Sequence, residues 1–176
     1  MTNWRIRFAA VAIVAAAVGA CQVAPDPNAP RKLTDDVSVS GQITAANLKA
    51  LKAQGFRTVV DMVHDDDSPD QAKYKQMQSA ANESALGYGY VPLKKGTAIP
   101  STTAEALGST MRMMPKPILI YADTRARASR TWAFAEASRQ GGLDTGHILA
   151  AVKSVGESAD DLASQIDARV AARPKH

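Results

Sequence analysis

The residues best equipped for chemistry lie in one run, Pro117 to Ala135, PILIYADTRARASRTWAFA. The apolar Pro117–Tyr121 reads as a buried strand, followed by a short polar loop. A helix from Ala128 to Gln140, rich in small apolar residues and holding Trp132, completes the unit. A strand, a tight loop and a helix N-terminus together build a phosphate-binding loop. Backbone N–H groups converge in the turn, and the helix dipole adds positive potential. An arginine at Arg127 can clamp such an anion through two parallel hydrogen bonds. Arg125, Arg127 and Arg130 cluster where the helix starts, and cations there oppose the dipole, so their placement asks for an anion. A plainer account also fits: Asp123 or Thr124 caps the helix, and the arginines are solvated or paired with Asp123. The candidate anion-binding set is Asp123, Thr124, Arg125, Ala126 and Arg127.

Other reactive types are scarcer. Asp123 as a nucleophile needs a second aspartate two residues on, where Arg125 stands. Thr124 or Ser129 as a nucleophile has no base visible in the sequence. His64-Asp65-Asp66-Asp67 invites a metal, yet one histidine followed by acids matches neither a calcium loop nor a zinc spacing. The run reads as a solvated acidic loop, free to face the arginines across a site mouth. His147 falls in a helix without a partner legible from sequence and is read as structural. No metal and no cofactor is implied.

The elements that must position these residues alternate. Val37–Ser40 is a short strand. Thr44–Gln54 is a helix with Thr44 as its cap, an Ile43–Leu48 hydrophobic staple, and Gly55 as its stop. Phe56–Met62 is a strand, Val63–Pro69 an acidic loop, and Asp70 caps a helix running to about Leu86. Tyr88–Leu93 is a strand, and Lys94–Ser101 a loop. Thr102 and Glu105 form a capping box for a helix with Leu107, Met111 and Met114 on its apolar stripe. Pro117–Tyr121, the most apolar strand, belongs at the centre of a parallel sheet. Gly141-Gly142 stops the helix after it, and Asp144 starts another. Ser158–Arg173 is an amphipathic helix with Leu162, Ile166 and Val170 on one face. The fold class expected is α/β: a mainly parallel sheet of four to five strands with helices on both faces. Ligands of such sheets bind beyond the carboxyl ends of the strands. The loops after Met62, Leu93 and Tyr121 should therefore sit together.

The start of the chain reads as an address. Arg5 and Arg7 precede an apolar run, Phe8–Val18, which ends in Val18-Gly19-Ala20-Cys21. The run is short for a membrane span and fits a secretory leader. The only cysteine of the chain sits at the cut, and Val-Gly-Ala-Cys resembles the bacterial lipobox. That resemblance implies diacylation of the Cys21 thiol and cleavage before it, and two or three acyl chains anchor stably. Gln22 in place of aspartate points to the outer membrane, facing the periplasm. Residues 1–20 are then the leader, and 21–36, with Pro25, Pro27 and Pro30, a tether. Its fifteen residues after Cys21, at about 3 Å each, reach roughly 45 Å. Residues 37–156 form the α/β domain and 157–176 a C-terminal amphipathic helix and tail. Loss of Arg5 and Arg7 with the leader lowers the formal charge from +4 to +2, and nothing calls for a nucleic acid.

VSVSGQITAANLKALKAQGFRTVVDMVHDDDSP, YGYVPLKKGTAI and PILIYADTRARASRTWAFA together resemble a branch of the cysteine-based phosphatase superfamily, which includes tyrosine and dual-specificity phosphatases. These are small bacterial phosphatase-like domains, found alone or fused to beta-lactamase-like hydrolases, some of them assigned to sulfur transfer. The resemblance covers about Val37 to Gly142. It implies a loop of the form His-Cys-Arg-Ser-Gly-Thr-Arg-Ser. The histidine falls on Tyr121, the cysteine on Ala122, the glycine on Arg125, the threonine on Ala126 and the closing arginine on Arg127. Only that arginine is kept. A thiolate is the attacking atom in such sites, and losing a nucleophile costs on the order of a million-fold in turnover in a serine protease. Arg125 in place of glycine disfavours the positive φ of the family loop. Lys94–Thr103 offers no carboxylate as a general acid.

The reading that follows is an envelope lipoprotein with a degenerate phosphatase-like domain, without cysteine catalysis. It would bind a phosphate- or sulfate-like anion or an envelope protein at the former phosphate loop. The alternatives are a residual hydrolase or sulfur transferase using another group, and a membrane-tethered scaffold. Intact-mass analysis of membrane fractions should show loss of residues 1–20 and a gain of acyl mass, and Cys21→Ser should leave precursor. A soluble, unmodified mature chain would refute the anchor.

Overall fold

The computed structural model describes residues 26, 28–67 and 71–174. The leader, Cys21 and Asp70 lie outside them. The chain runs β1 (Arg31–Lys32), β2 (Val37–Ser40), a 3-10 turn (Ala45–Asn47), α1 (Leu48–Ala53), β3 (Thr58–Val63), α2 (Tyr74–Glu83) and β4 (Gly87–Leu93). It continues α3 (Ser101–Met113), β5 (Ile118–Tyr121), α4 (Arg125–Ser138), α5 (Thr145–Ser154), a second 3-10 turn (Asp160–Leu162) and α6 (Ala163–Ala171). The sheet order is β1-β2-β5-β3-β4. β5 pairs in parallel with β2 and β3, β4 is parallel to β3, and only β1 is antiparallel. The expected α/β architecture is present, with the most apolar strand at its centre.

Strand alternation divides the core. Ile118, Ile120, Val60 and Met62 point to one face, where α3 and α4 pack and α5 and α6 cover α4. Leu119, Tyr121, Val59 and Val63 point to the other, under α1 and α2 through Leu48, Leu51, Met77 and Ala81. Both faces of β5 are buried, and each Ile or Leu so enclosed stabilises the fold by about 1.5–3 kcal/mol. α4 is enclosed too, with nine buried residues including Trp132 and four alanines from 128 to 137. Their small volumes let α3 approach closely. Gly89 on β4 does the same, since a Cβ there would lie 2.7 Å from Thr110 Cγ2.

Several boundaries depart from the sequence reading. The tether does not extend to residue 36: Arg31–Lys32 pairs with β2, Leu33 is buried, and Asp36 O accepts from Ile118 N at 2.8 Å. β2 would otherwise be an unpaired edge, which explains why polar residues form a strand there. α2 starts at Tyr74, capped by Lys73 and Gln76, not at Asp70. α3 starts at Ser101 behind an extended Pro100, so Thr102 lies inside the helix and makes no capping box. α4 starts at Arg125, three residues before Ala128, because Thr124 caps it. Thr44 does cap the first helical turn, with Asn47 Oδ1 accepting from its N–H at 2.8 Å, and Gly55 closes α1 at φ 96°. Asp144 caps α5. Ile166 of α6 is fully buried in the main core. No helix among the described residues is long and apolar enough to cross a membrane.

Arg173 joins this C-terminal layer to α4. Its guanidinium donates to the carbonyls of Glu136, Ala137, Gly142 and Leu143 at 2.7–2.9 Å. They lie at and just beyond the end of α4, where carbonyls run short of partners within a helix; Glu136 O also accepts from Arg139 N at 3.1 Å. Burial alone would raise the pKa of Glu136. The hydrogen bonds from Arg139 and Leu143 N, with the charges of Arg139 and Arg173, hold it below its ordinary value instead. Arg173→Ala should lower stability by about 1.5–3 kcal/mol, the range for hydrogen bonds to a charged group. Urea unfolding would read this as an earlier midpoint, and an unchanged midpoint would show that Arg173 only decorates the helix end.

Candidate functional site

The carboxyl ends of β3, β4 and β5 do bring their loops together. Asp67, after β3, accepts from Lys95 N, after β4, with both carboxylate oxygens at 3.1 and 3.0 Å. Arg127, in α4, donates to Lys94 O at 2.7 Å and Thr97 O at 3.1 Å. Asp65 turns back to α2, where its Oδ1 accepts from Tyr74 N at 2.8 Å and its carbonyl from Lys73 Nζ. The acidic loop is therefore a brace. None of its carboxylates appears among the described ion pairs of Arg125, Arg127 and Arg130.

Only Ala122, Asp123 and Thr124 separate β5 from α4. Ala122 is 1% exposed and packs in the main core, so the chain presents a buried methyl group directly after β5. Thr124 is extended and its Oγ1 accepts from Arg127 N at 3.2 Å. Arg125 opens the helix without a positive φ; among the described non-glycine residues only Ala85 has one.

Each arginine of the cluster has an acid. Arg127 Nε lies 3.3 Å from Asp123 Oδ1, both side chains largely buried. Nε makes no hydrogen bond there, so this pair is held by charge while the two terminal nitrogens hold the carbonyls. Arg125 Nε meets Glu157 Oε1 at 3.0 Å. Arg130 holds Asp161 bidentately at 2.7 and 2.6 Å, which raises its own pKa and lowers that of the acid. A cleft of about 280 Å³ runs beside Arg127 and Arg130, walled by Ile99, Phe134 and Leu162. Asp123, Thr124, Arg125, Ala126 and Arg127 thus share one helix start. Glu157 and Asp161 could not be foreseen, since they come from more than thirty residues away.

The other candidates have local roles. Ser129 is buried and donates to the carbonyls of Arg125 and Ala126. His64 Nδ1 bonds to Asp66 N at 3.2 Å. His147 is an exposed partner of its own helix cap, Asp144, at 2.7 Å, not a packing residue.

A second polar group had no counterpart in the sequence reading. Asp61, in the middle of β3, is 2% exposed. It faces Tyr121 on β5 and Tyr90 on β4. Its oxygens accept from Val63 N at 2.8 Å and Tyr88 Oη at 2.6 Å. Tyr90 stacks on Tyr74 with centroids 4.6 Å apart. Burial pushes the pKa of Asp61 up against these hydrogen bonds, and raises Tyr88 and Tyr121 as well. A carboxylate inside the apolar run FRTVVDM was the available signal.

A sequence profile described as "Beta-lactamase hydrolase-like protein, phosphatase-like domain" matches residues 30–139. The beta-lactamase hydrolase-like protein of Agrobacterium fabrum is 26% identical over 106 residues, 60% of this chain and 24% of the relative. That of Xylella fastidiosa (strain Temecula1) is 23% identical over 59% of this chain and 24% of its own. The chain thus spans about a quarter of the length of these relatives. Among solved structures, a candidate phosphatase from Neisseria meningitidis Z2491 is similar with a TM-score of 0.66 at 20% identity, covering 78% of this chain and 96% of its own. A candidate phosphatase from Shewanella putrefaciens CN-32 is similar with a TM-score of 0.62 at 17% identity, covering 85% and 92%. These likenesses establish a fold of the protein tyrosine phosphatase type.

The raised pKa of Asp61 has a directional consequence. A group that binds its proton more tightly when folded adds stability below its unfolded value, near 3.8. That contribution is lost as pH rises through the folded value. Asp61→Asn carries no such dependence, so its stability relative to wild type should grow between about pH 4 and neutrality. Melting temperatures of both chains across that range would test this, and a constant difference would contradict it.

Proposed function

The chain belongs to the family of phosphatase-like domains of beta-lactamase hydrolase-like proteins, and from that premise we propose that it is a non-catalytic member that binds an anionic group at the loop between β5 and α4. We place it at the bacterial envelope, held by a lipid on Cys21, with the anion supplied by a small phosphate- or sulfate-like ligand or by an envelope protein. The observation that carries this reading is the pairing of Asp123 with Arg127 immediately after the buried Ala122. The loop keeps the anion-clamping arginine but fills it with a carboxylate of its own, and it offers no nucleophile. Ser129 donates into its own helix and Thr124 serves as a cap, so neither supports the hydrolase alternative. A ligand here competes with Asp123 for Arg127, and gains from the first-turn N–H groups of α4 and the helix dipole.

Thermal shifts of the full-length chain in inorganic phosphate test the reading. Wild type should gain a modest melting temperature through binding to the folded state. Asp123→Asn frees the arginine from a pair worth about 1 kcal/mol and should tighten phosphate by roughly fivefold. Arg127→Ala should abolish the response. An equal phosphate effect on wild type and Arg127→Ala would remove the anion site and leave a scaffold. Hydrolysis of aryl phosphates that is lost in Asp123→Asn or Thr124→Ala would overturn the non-catalytic reading.

A further inference from the structure

Asp61 takes no part in the loop beyond β5, and its surroundings are unusual for a buried acid. Its hydrogen-bond donors, Val63 N and Tyr88 Oη, are both neutral. Buried carboxylates are ordinarily compensated by a cation. Among the described residues, no lysine, arginine or histidine forms an ion pair with Asp61, and the other charge acting on it is a second acid, Asp65. Beside it stands Tyr121 Oη, buried and close enough to Asp61 and Tyr88 for both to act on its proton, yet among the described residues no group meets it with hydrogen-bond geometry. An unsatisfied buried hydroxyl is rare in native structures.

Both groups line one cavity of about 100 Å³ at the carboxyl end of the sheet, on the α1–α2 face. Ile43, Val63, Ala72 and Met77 give it apolar walls, and the exposed Gln42 and Thr44 lie at its rim. A cavity of 150 Å³ holds benzene, with six heavy atoms, so this one has room for about four.

We propose that this cavity binds a small primary ammonium compound, whose N–H groups donate to Asp61 and Tyr121 Oη while its short carbon chain lies against Ile43, Val63 and Met77. The polarity fixes the class. A buried carboxylate opposes an anion, and a single carboxylate among carboxamides and a phenol is a poor set for a divalent ion, which takes six or more oxygen ligands. An ammonium group meets both needs at once: it is a counter-charge for Asp61 and a donor for Tyr121. It would also offset the burial that favours the protonated form of Asp61. The site draws on none of the residues that carry the anion proposal, so the two stand or fall separately.

The test is a titration of the full-length chain with ethylammonium chloride, following the Met77 methyl group by carbon-13 NMR against sodium chloride of equal ionic strength. A saturable shift in the millimolar range is expected, weakened at least tenfold in Asp61→Asn and in Tyr121→Phe. The second variant removes one oxygen and keeps the ring, so it decides the matter should Asp61→Asn fail to fold. Acetamide, of similar size but neutral, should bind at least tenfold more weakly. A linear, unsaturated shift in wild type would mean that the cavity holds water only. Equal binding by Tyr121→Phe, or by acetamide, would remove the ammonium site as well.

Discussion

The structure depends on β5. Its four residues are buried, paired by hydrogen bonds on both sides, and packed under helices on both faces. A strand enclosed in this way cannot shift its register without moving alternate side chains from one core to the other. Its carboxyl end is therefore fixed in space, and so is the start of α4 three residues later. Any chemistry or binding at this end of the sheet inherits that precision. At the last buried position before the turn, Ala122 packs into the main core.

Charge at the start of α4 obeys a second constraint. Three arginines at a helix N-terminus face an unfavourable dipole, and each is compensated by a carboxylate: Asp123 from the loop, Glu157 and Asp161 from the segment leading to α6. The C-terminal layer is thereby tied to the loop by charge as well as by Ile166. Arg127 is the most constrained of the three, because it also holds the carbonyls of Lys94 and Thr97. It is the strut that holds the β4–α3 loop in place.

The periodic features were legible. FRTVVDM and PILIY announce buried strands through their apolar character, and Thr44, Gly55 and Asp144 mark helix ends through local chemistry that depends on a few neighbours. The gathering of the three loops also followed from sheet topology. The misses share one cause. β1 forms from Arg31–Lys32 because β2 has an edge to cover, which is a tertiary demand that propensity does not record. α3 begins at Ser101 because the chain turns at Pro100, although Thr102-x-x-Glu105 has the capping-box pattern. The partners of Arg125 and Arg130, and the meeting of Asp61 with Tyr88 and Tyr121, are contacts between residues about thirty or more apart, which no spacing rule reports.

The two faces of the sheet give this end of the molecule opposite electrostatic characters. On the α3–α4 face, cations stand in excess of what the helix dipole tolerates and are balanced by acids. On the α1–α2 face, Asp61 and Asp65 stand near each other, their carboxylates partnered by a phenol and backbone N–H groups while Lys73 Nζ donates to the Asp65 carbonyl. Separation by a hydrogen-bonded sheet keeps the two from neutralising one another: Asp61 projects away from Arg127 because alternate residues of β3 point to opposite faces. Moving Asp61 by one position along β3 would exchange it with Val60 or Met62 and aim a carboxylate at the face where the arginines lie. The placement of a single acid in the strand therefore decides which face of the sheet carries a buried carboxyl group.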